Sequence, residues 1–531
     1  MRGDGSESRF AGRFKWFSAL ASHRWMGELI GGGFLIAVIF VGLTFHRMVD
    51  GDSETDFIGS YVSQARSFLG GTIAIDAYRG PLYPIALGLL HVPLRAVGLG
   101  LLETGIVLSA LSASLIIALV FRLLKRLYSP TVALSATLLL IVNPHFFRYS
   151  YTTGNDMFFS ALATLCVYLM LAGNKYSWRR LVGAGIVAGL TYLTRYNGIA
   201  IVLAAIACVL IVRPPGITMR RRLLGALTIA ACFMLVITPW GVYTLSERGS
   251  FLHNKNYHNM AMTFHVGDEA PERFRAEHGD EFDSFVDVVA WDPAGFARKV
   301  PSFAWGNLVK SLEGLGWPVG ILVVLGMLSV FLRRPTRSQS AYFVFGGLFF
   351  AVLSVVFYKE RFFLFLTPVF LAIAVQGVLN LAGVLRKETL PVGELSILVL
   401  VLVIYGGVES ARYNVPLLPG GEPEFRTMGE AFQNEFGDQK GKRVVERKPF
   451  FSYFAGLEHV PMPVVDSVDE LMKHVRETDA DYLFFSFIAH RTRQPAAELI
   501  DPRVAHPGLE FIANTRIGTL YEVVPPRSGR P

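Results

Sequence analysis

The chain has 531 residues, 52% hydrophobic and only 17% charged, and its mean hydropathy is +0.42. Soluble domains carry about a quarter charged residues, so this composition excludes an ordinary soluble protein and predicts an all-α polytopic membrane protein. The formal net charge of +8 does not indicate a nucleic-acid partner, because the basic residues form short clusters between apolar runs. The three cysteines lie inside apolar runs without a CxxC pair, which is typical of small buried thiols.

The first apolar run covers residues 26–45 and is long enough to cross a bilayer. A basic arm, residues 1–25, precedes it, and no small-residue cleavage site follows, so we interpret it as a retained first span with the arm in the cytoplasm. Further basic clusters lie at residues 122–126, 175–180, 213–222, 333–337 and 385–388. If each cluster is cytoplasmic, the apolar runs between them cross in pairs, which predicts about eleven spans and an outer C-terminus.

This topology divides the chain into a membrane core at residues 26–408 and an extracytoplasmic tail at residues 409–531. Outer loops are expected at about 46–100 and 244–305. Residues 181–212 must leave and return as two short helices that turn at TRYNG, which places Arg195 at the outer surface or in a cavity below it. In the tail, KRVVERKPFFSYFAG, SVDELMKHVRE, DYLFFSFIA and TLYEVVP alternate as in a small α/β domain.

A group of acidic residues lies where the first span ends: Asp50, Asp52, Glu54 and Asp56. After Asp56, apolar residues recur at steps of three and four, which predicts an amphipathic interfacial helix that ends at Gly70. Asp56 is then expected at the helix N-terminus, where the helix dipole favours a carboxylate. A purely structural capping role is the alternative for each acid.

Other charged residues are predicted at the same outer face. Asp156 begins a later span, Arg79 lies in RGPLYP, and Lys359 and Arg361 lie in YKERFFLFLTP. Acids and cations that converge at one membrane face are suited to acid/base chemistry on a substrate with an anionic leaving group. Arginines that extend to the interface without a catalytic role are the alternative for Arg195 and Arg361.

These motifs, in this order, resemble the glycosyltransferase-C superfamily. The opening acid, Tyr61, Ala65, Gly70 and GPLYP are similar to its first outer loop. The similarity continues through NPHFFRYSYTTGNDMFF, GLTYLTRYNGI, ITPWGVY and KERFFLFLTP, roughly residues 26–385. The nearest branch in these motifs is that of protein O-mannosyltransferases and the bacterial lipid A aminoarabinose transferase. Many relatives have an adjacent acidic pair four residues before the tyrosine, whereas Glu54 and Asp56 are separated here.

The resemblance implies an inverting, carboxylate-assisted glycosyltransferase in the bacterial cytoplasmic membrane. It would move a sugar from a polyprenyl-phosphate donor to a hydroxyl of a protein, lipid or glycan at the outer face. It also implies the roles of the site residues. Catalytic roles fall to Asp56, with Glu54 in reserve, and to Asp156; donor and phosphate binding fall to Tyr61, Arg79, Arg195, Lys359 and Arg361.

Three alternatives remain open at this point. Asp50-Gly51-Asp52 spells a DxD sequence, which makes a divalent metal ion one alternative, although the strand context of soluble DxD enzymes is missing. His253, His258 and His265 share one outer loop without the spacing of helical metal ligands, which favours a solvated loop. A transporter or flippase of a lipid-linked substrate, or a scaffold whose tail recruits partners, is the alternative in function.

Overall fold

A computed structural model describes residues 15–46, 52–173, 177–212, 216–266, 271–332, 334–385, 392–418, 423–503 and 506–524. The chain divides into two compact units. The first takes in the described residues up to His46 and those within Gln64–Gly267 and Asp280–Pro416. The second takes in the described residues within 47–63, 268–279 and 417–531.

The first unit is helical. Its helices are α1 Lys15–Ser22, α2 Met26–Thr44, α4 Val62–Leu69, α5 Leu82–Leu94, α6 Leu101–Leu127, α7 Pro130–Ile141, α8 Pro144–Tyr151, α9 Asp156–Leu171, α10 Trp178–Thr194, α11 Ile199–Leu210, α12 Met219–Arg248, α13 Asn256–His265, α15 Phe285–Trp291, α16 Pro293–Glu313, α17 Trp317–Leu332, α18 Arg337–Leu353, α19 Thr367–Leu385 and α20 Val392–Asn414. The first two residues of α4 are counted in the second unit. Short 3₁₀ turns include Tyr196–Gly198 and Glu360–Phe363.

Five described helices are long and apolar enough to cross a membrane, and the number rises to six if the bent pair α7–α8 is one span. These helices identify an integral, multi-pass membrane protein. The prediction of about eleven spans is not confirmed, because several other apolar helices are too short to span alone. Those shorter segments are Leu82–Val97, Asp156–Leu171, Tyr196–Leu210 and Trp317–Ser329.

The break between α7 and α8 follows from the dipeptide Asn143-Pro144. Proline has no N–H to continue the preceding helix, and Asn143 caps the new one by accepting a hydrogen bond from the N–H of Phe146 at 2.9 Å. Asn143 Nδ2 also donates to the carbonyl of Gly314 at 2.9 Å, which ties the break to the end of α16. The two helices are bent by 63°. Because α8 ends five residues before Asp156, this bend helps to place the start of α9.

The predicted pair of short helices within residues 181–212 is confirmed. Helix α10 ends at Thr194 and α11 begins at Ile199, with Arg195 and a 3₁₀ turn between them. Arg195 has an extended backbone, φ −150° and ψ 133°, so the helix ends before it and Arg195 lies in the turn between α10 and α11. Its side chain is only 17% exposed, which corresponds to the buried alternative rather than the surface one.

The second unit contains the predicted α/β tail. Its elements are α3 Asp52–Asp56, α14 Pro271–His278, α21 Pro423–Phe436, β1 Arg443–Glu446, α22 Phe450–Ala455, β2 Glu458–Pro461, α23 Val468–Glu477, β3 Tyr482–Ser486, α24 Phe487–Thr492, β4 Leu509–Thr515 and β5 Gly518–Val523. The sheet order is β2-β1-β3-β5-β4. Strand β1 is parallel to β2 and β3, whereas β5 is antiparallel to β3 and β4.

The tail forms these elements because its apolar residues share one core. Val445 and Leu483, on neighbouring strands, are fully buried against Leu471 and Val475 of α23. Ser467 caps α23 by accepting a hydrogen bond from the N–H of Glu470 at 3.2 Å. The four segments that were predicted as strand or helix from the sequence therefore lie in one domain. The sheet of this domain also contains two strands that were not predicted, β2 and β4.

Candidate active site

Asp156 is a buried carboxylate held by two arginines. It is the first residue of α9, where the helix dipole stabilises negative charge, and it is 2% exposed. Arg195 Nη1 contacts Asp156 Oδ1, and Arg361 Nη1 lies 3.8 Å from Asp156 Oδ2. The cluster therefore joins three positions that the sequence had assigned separately. All three lie in the first unit.

The ring of Phe362 lies against both guanidinium groups. The guanidinium carbon of Arg195 is 4.6 Å from the ring centroid, and that of Arg361 is 5.3 Å from it. The negative face of an aromatic ring attracts cations, so Phe362 stabilises two like charges close together. Asn155 completes the setting, because its Oδ1 accepts from Arg195 at 3.4 Å and its Nδ2 donates to the carbonyl of Thr194 at 3.2 Å.

The charge of the cluster is suited to an anion. Asp156, Arg195 and Arg361 together carry one net positive charge, and the two arginines are 17% and 13% exposed. Charges at this depth are costly unless an opposite charge or a hydrogen-bond partner compensates them. A phosphate oxygen that bonds to a guanidinium group forms a strong, charge-assisted hydrogen bond.

Arg79 lies on a loop that is fastened to the Arg195 turn. The hydroxyl of Tyr196 donates to the carbonyl of Arg79 at 3.3 Å. A Cβ placed on Gly80 would lie 1.9 Å from the carbonyl oxygen of Leu193, so the two backbones approach as closely as only glycine allows. The Arg79 guanidinium forms an ion pair with Asp76 at 3.0 Å. Asp76 was not among the site residues predicted from the sequence, although it lies three residues before Arg79.

The outer histidines are not all in a solvated loop, so that prediction is wrong for His258. This residue is 5% exposed, and its Nδ1 lies 3.3 Å from the hydroxyl of Tyr78. His265 is also engaged, with Nε2 2.7 Å from the carbonyl of Val288. The segment is folded against the Arg79 loop, because the N–H of Lys255 donates to the carbonyl of Ala77 at 2.7 Å.

Glu54, Asp56 and Tyr61 lie in the second unit. Glu54 and Tyr61 are buried, at 2% and 3% exposed, and Asp56 is half-buried. The helix begins at Asp52, so Asp56 lies one turn inside it and not at the N-terminus as the sequence predicted. Asp56 forms no side-chain cap, and a π-helical turn, Phe57–Tyr61, follows it directly. Single π turns in α-helices often mark functional sites.

The remaining predicted positions have less definite surroundings. Lys359 is half-buried directly before the Glu360–Phe363 turn and makes no ion pair with the part of the chain that the structure describes. Asp50 and Gly51 of the DxD sequence lie outside the described residues. Among the residues that are described, no three His, Cys, Asp or Glu side chains are grouped to hold a metal ion.

Comparisons with known proteins concern the family and the fold of the chain. Residues 99–243 match the family model of dolichyl-phosphate-mannose-protein mannosyltransferase. No curated protein matches the chain. In fold, the chain is similar to ArnT from Cupriavidus metallidurans bound to undecaprenyl phosphate, with a TM-score of 0.58 and 14% identity over 94% of this chain and 98% of that one.

A second similar structure is the archaeal oligosaccharyltransferase AglB from Archaeoglobus fulgidus, in complex with an inhibitory peptide and a dolichol-phosphate. Its TM-score is 0.56, with 14% identity over 96% of this chain and 75% of that one. The matched residues 99–243 contain Asp156 and Arg195. The family match and the shared fold together confirm that this chain resembles the glycosyltransferase-C superfamily, and within it the mannosyltransferases and ArnT.

Proposed function

We propose that this protein is an inverting glycosyltransferase of the bacterial cytoplasmic membrane. It moves one sugar from a polyprenyl phosphate to a hydroxyl acceptor at the outer face, with the N-terminus inside and the tail domain outside. The Asp156–Arg195–Arg361 cluster is the observation that carries the proposal, because it combines a net positive charge with burial at the start of the apolar helix α9. The fold shared with proteins that bind undecaprenyl phosphate and dolichol-phosphate supports it.

In the reaction, the acceptor oxygen attacks C1 of the sugar while its proton passes to a carboxylate. The bond between C1 and the phosphate oxygen breaks, and its electron pair leaves with the polyprenyl phosphate. Attack opposite the leaving group inverts the configuration at C1. General-base assistance of this type is worth about 10²–10⁴ in rate. Asp56 is the proposed base, and Glu54 is the reserve because its burial leaves it less access to an acceptor.

The leaving phosphate is the proposed ligand of Arg195 and Arg361, with Arg79, Lys359 and Tyr61 as further donor-binding residues. Guanidinium groups that are fixed before the reaction stabilise developing charge without rearrangement, which is where most electrostatic catalysis arises. For Asp156 we propose a role other than the catalytic one that the resemblance implies. Because both arginines engage its two oxygens, we assign it to positioning them and not to proton transfer.

The test is transfer by the full-length protein in proteoliposomes with a panel of synthetic polyprenyl-phosphate hexoses. Release of polyprenyl phosphate, followed by mass spectrometry, reports turnover whatever the acceptor. Asp56→Asn is expected to lower turnover by about 10²-fold or more without lowering donor binding. Arg361→Gln is expected to weaken donor binding as well, because it removes a phosphate ligand.

A transporter or flippase predicts another result in the same vesicles. The lipid-linked sugar would cross the bilayer, no polyprenyl phosphate would be released, and Asp56→Asn would leave crossing unchanged. Asp501→Asn is the matched control, since Asp501 is a half-buried acid of the tail that pairs with Arg503 at 3.6 Å and has no proposed catalytic role. Full turnover in Asp56→Asn together with loss in Glu54→Gln would move the base to Glu54.

A further inference from the structure

A polar cavity lies within the first unit, well away from Asp156. Its volume is about 140 Å³, and its polar lining consists of Tyr128, Ser329, Arg334, Gln339, Gln376 and Asn380. Asn380 follows Thr367, the first residue of α19, by 13 positions. At a rise of 1.5 Å per residue, the cavity lies about 20 Å along α19 from the end that adjoins the Arg361 turn. It is therefore separate from the proposed active site.

The cavity forms beside an unusually close helix crossing. A Cβ placed on Gly377 of α19 would lie 2.2 Å from the Cα of Gly326 of α17. A Cβ on Gly326 would lie 2.3 Å from the carbonyl oxygen of Ile373. Small residues of this kind let membrane helices meet backbone to backbone. Both glycines line the cavity, together with polar side chains from the two helices.

A chain of hydrogen bonds runs along one wall. Gln376 Nε2 donates to Asn380 Oδ1 at 2.8 Å, Asn380 Nδ2 donates to Ser329 Oγ at 3.3 Å, and Ser329 Oγ donates to the carbonyl of Gly326 at 2.7 Å. Each amide nitrogen has two hydrogens and uses one of them in this chain. Within the described residues, the second hydrogen of each amide therefore remains for a further acceptor.

Tyr128 supplies a second, independent observation. Its hydroxyl oxygen is buried and has no hydrogen-bond partner in the part of the chain that the structure describes. A buried hydroxyl without a partner is destabilising, so native proteins rarely leave one unsatisfied. The cavity that Tyr128 lines is far larger than the ~10–15 Å³ that one water needs. A polar ligand larger than water would satisfy the hydroxyl.

The charge of the lining selects the sign of that ligand. Arg334 is the one charged residue among the eleven that line the cavity, and none of them is a carboxylate. Arginine, amide and phenol donors without a competing carboxylate are suited to a planar or tetrahedral oxyanion. We propose that this cavity binds a phosphate group, with Arg334 as its cation and Tyr128 as a hydrogen-bond donor. The group belongs either to an anionic phospholipid or to a soluble phosphate.

The experiment uses the full-length protein in detergent micelles with added phosphatidylglycerol or phosphatidylcholine. Native mass spectrometry counts bound lipid. The wild type is expected to retain phosphatidylglycerol in preference to phosphatidylcholine. Arg334→Gln should weaken that retention about tenfold, and Tyr128→Phe, which keeps the ring, should weaken it about threefold or more. Elution as a single species in size-exclusion chromatography shows that each variant is folded.

Arg337→Gln is the matched control. Arg337 is exposed at the first turn of α18, belongs to the same basic cluster and does not line the cavity. Retention within about twofold of the wild type is expected. Equal weakening by Arg334→Gln and Arg337→Gln would overturn the proposal, because it would indicate attraction to a general basic patch. Equal retention of the two lipids that millimolar inorganic phosphate does not change would overturn it as well.

Inorganic phosphate distinguishes the two sources of the ligand. If millimolar phosphate displaces phosphatidylglycerol, or itself binds with the same dependence on Arg334, the ligand is a soluble phosphate. If lipid retention persists in phosphate and still depends on Arg334, the ligand is a lipid head group. Glycosyl transfer is not part of this readout, so a failure here is distinguishable from a failure of the proposed function.

Discussion

Asp156 is the residue on which the candidate site is built. Its two oxygens engage Arg195 and Arg361, and all three side chains are less than a fifth exposed. Removal of one partner from a buried ion cluster is far more costly than loss of a surface pair, because it leaves charge without compensation. A substitution of Asp156 that removes its charge should therefore affect both the stability of the protein and its binding of the donor.

Asp156→Asn is expected to lower the free energy of unfolding by roughly 3–5 kcal/mol and Tm by about 5 °C or more. Thermal melts of the purified protein in detergent measure this change. Glu409→Gln is the control, since Glu409 and Arg412 form an ion pair at 2.9 Å with the arginine 73% exposed, and its Tm should stay within about 2 °C. Equal melting of Asp156→Asn and the wild type would contradict the buried cluster.

Glu446 of the tail domain is a titratable group of another kind. Burial raises the pKa of the Glu446 carboxyl from 4.5 to about 8, although N–H groups of Ser452 and Phe451 donate to it and oppose the rise. Between pH 4.5 and 8 the folded chain holds a proton that the unfolded chain releases. The stabilisation that this bound proton provides is therefore fully present below pH 4.5. It is lost as the pH rises through about 8, by up to about 1.4 kcal/mol per pH unit.

The predicted consequence is faster local opening of residues 443–457 at pH 8.5 than at pH 6. Hydrogen exchange measured by mass spectrometry, corrected for the intrinsic exchange rate, reports it. Glu446→Gln should remove most of the pH dependence, because an uncharged amide does not titrate. Glu458→Gln is the control on the neighbouring strand, at 62% exposed, and should keep it. A pH dependence that survives Glu446→Gln would assign the titration to another group.

At the scale of elements, loops and breaks bring the site residues together. The Asn143-Pro144 break bends α7 away from α8, and the Arg195 turn interrupts α10 and α11. Gly80 lets the Arg79 loop lie directly against the backbone of Leu193. A site built on short connections of this kind depends on how closely two backbone segments can approach each other, as well as on the identity of the side chains.

Gly80→Ala should therefore lower transfer at least tenfold, although it removes no charged group. The added Cβ would lie 1.9 Å from the carbonyl oxygen of Leu193, so one backbone must move, and overpacking of this type costs about 1–3 kcal/mol. Turnover and Tm are measured in parallel. Gly347→Ala in α18 is the control, because its Cβ would meet nothing within 4 Å, and it should be neutral or slightly stabilising.

The elements also show which features the sequence could predict. Arg195 and Asp156 were identifiable because an ionisable residue at the edge of an apolar run has few structural reasons to be there. Asp76 and Phe362 were not, because an acid in a loop and an aromatic in an apolar segment are ordinary by composition. The pairing of Asp156 with both arginines depends on contacts between residues 39 and 205 positions apart, which spacing along the chain does not reveal.

At the scale of the whole molecule, hydropathy predicted a polytopic membrane protein, whereas its count of about eleven spans is not confirmed. An apolar run of about 20 residues is counted as one crossing, yet residues 130–151 contain a bend of 63° and other apolar helices have 17 residues or fewer. Apolar length does not distinguish a full crossing from a short helix buried among others. The order of strands in the tail was likewise beyond local pattern, since β5 lies between β3 and β4.

The orientation is open to a direct test. Arg337 and Ser250 are both exposed, and the basic clusters predict that Arg337 is cytoplasmic and Ser250 external. In a cysteine-free background, Ser250→Cys should react with a membrane-impermeant maleimide in intact cells. Arg337→Cys should react only after permeabilisation. The reverse pattern would invert the protein and place the Asp156 cluster on the cytoplasmic side.

The position of Phe362 has a consequence for anion selectivity. Both guanidinium carbons lie within 5.3 Å of the centroid of one rigid ring, so their separation is at most the sum of the two distances, about 10 Å. Two positive charges with a preset spacing bind an ion that presents several oxygens better than a single-atom halide. Chloride should therefore compete poorly with phosphate esters at this cluster, even at the concentrations found outside cells.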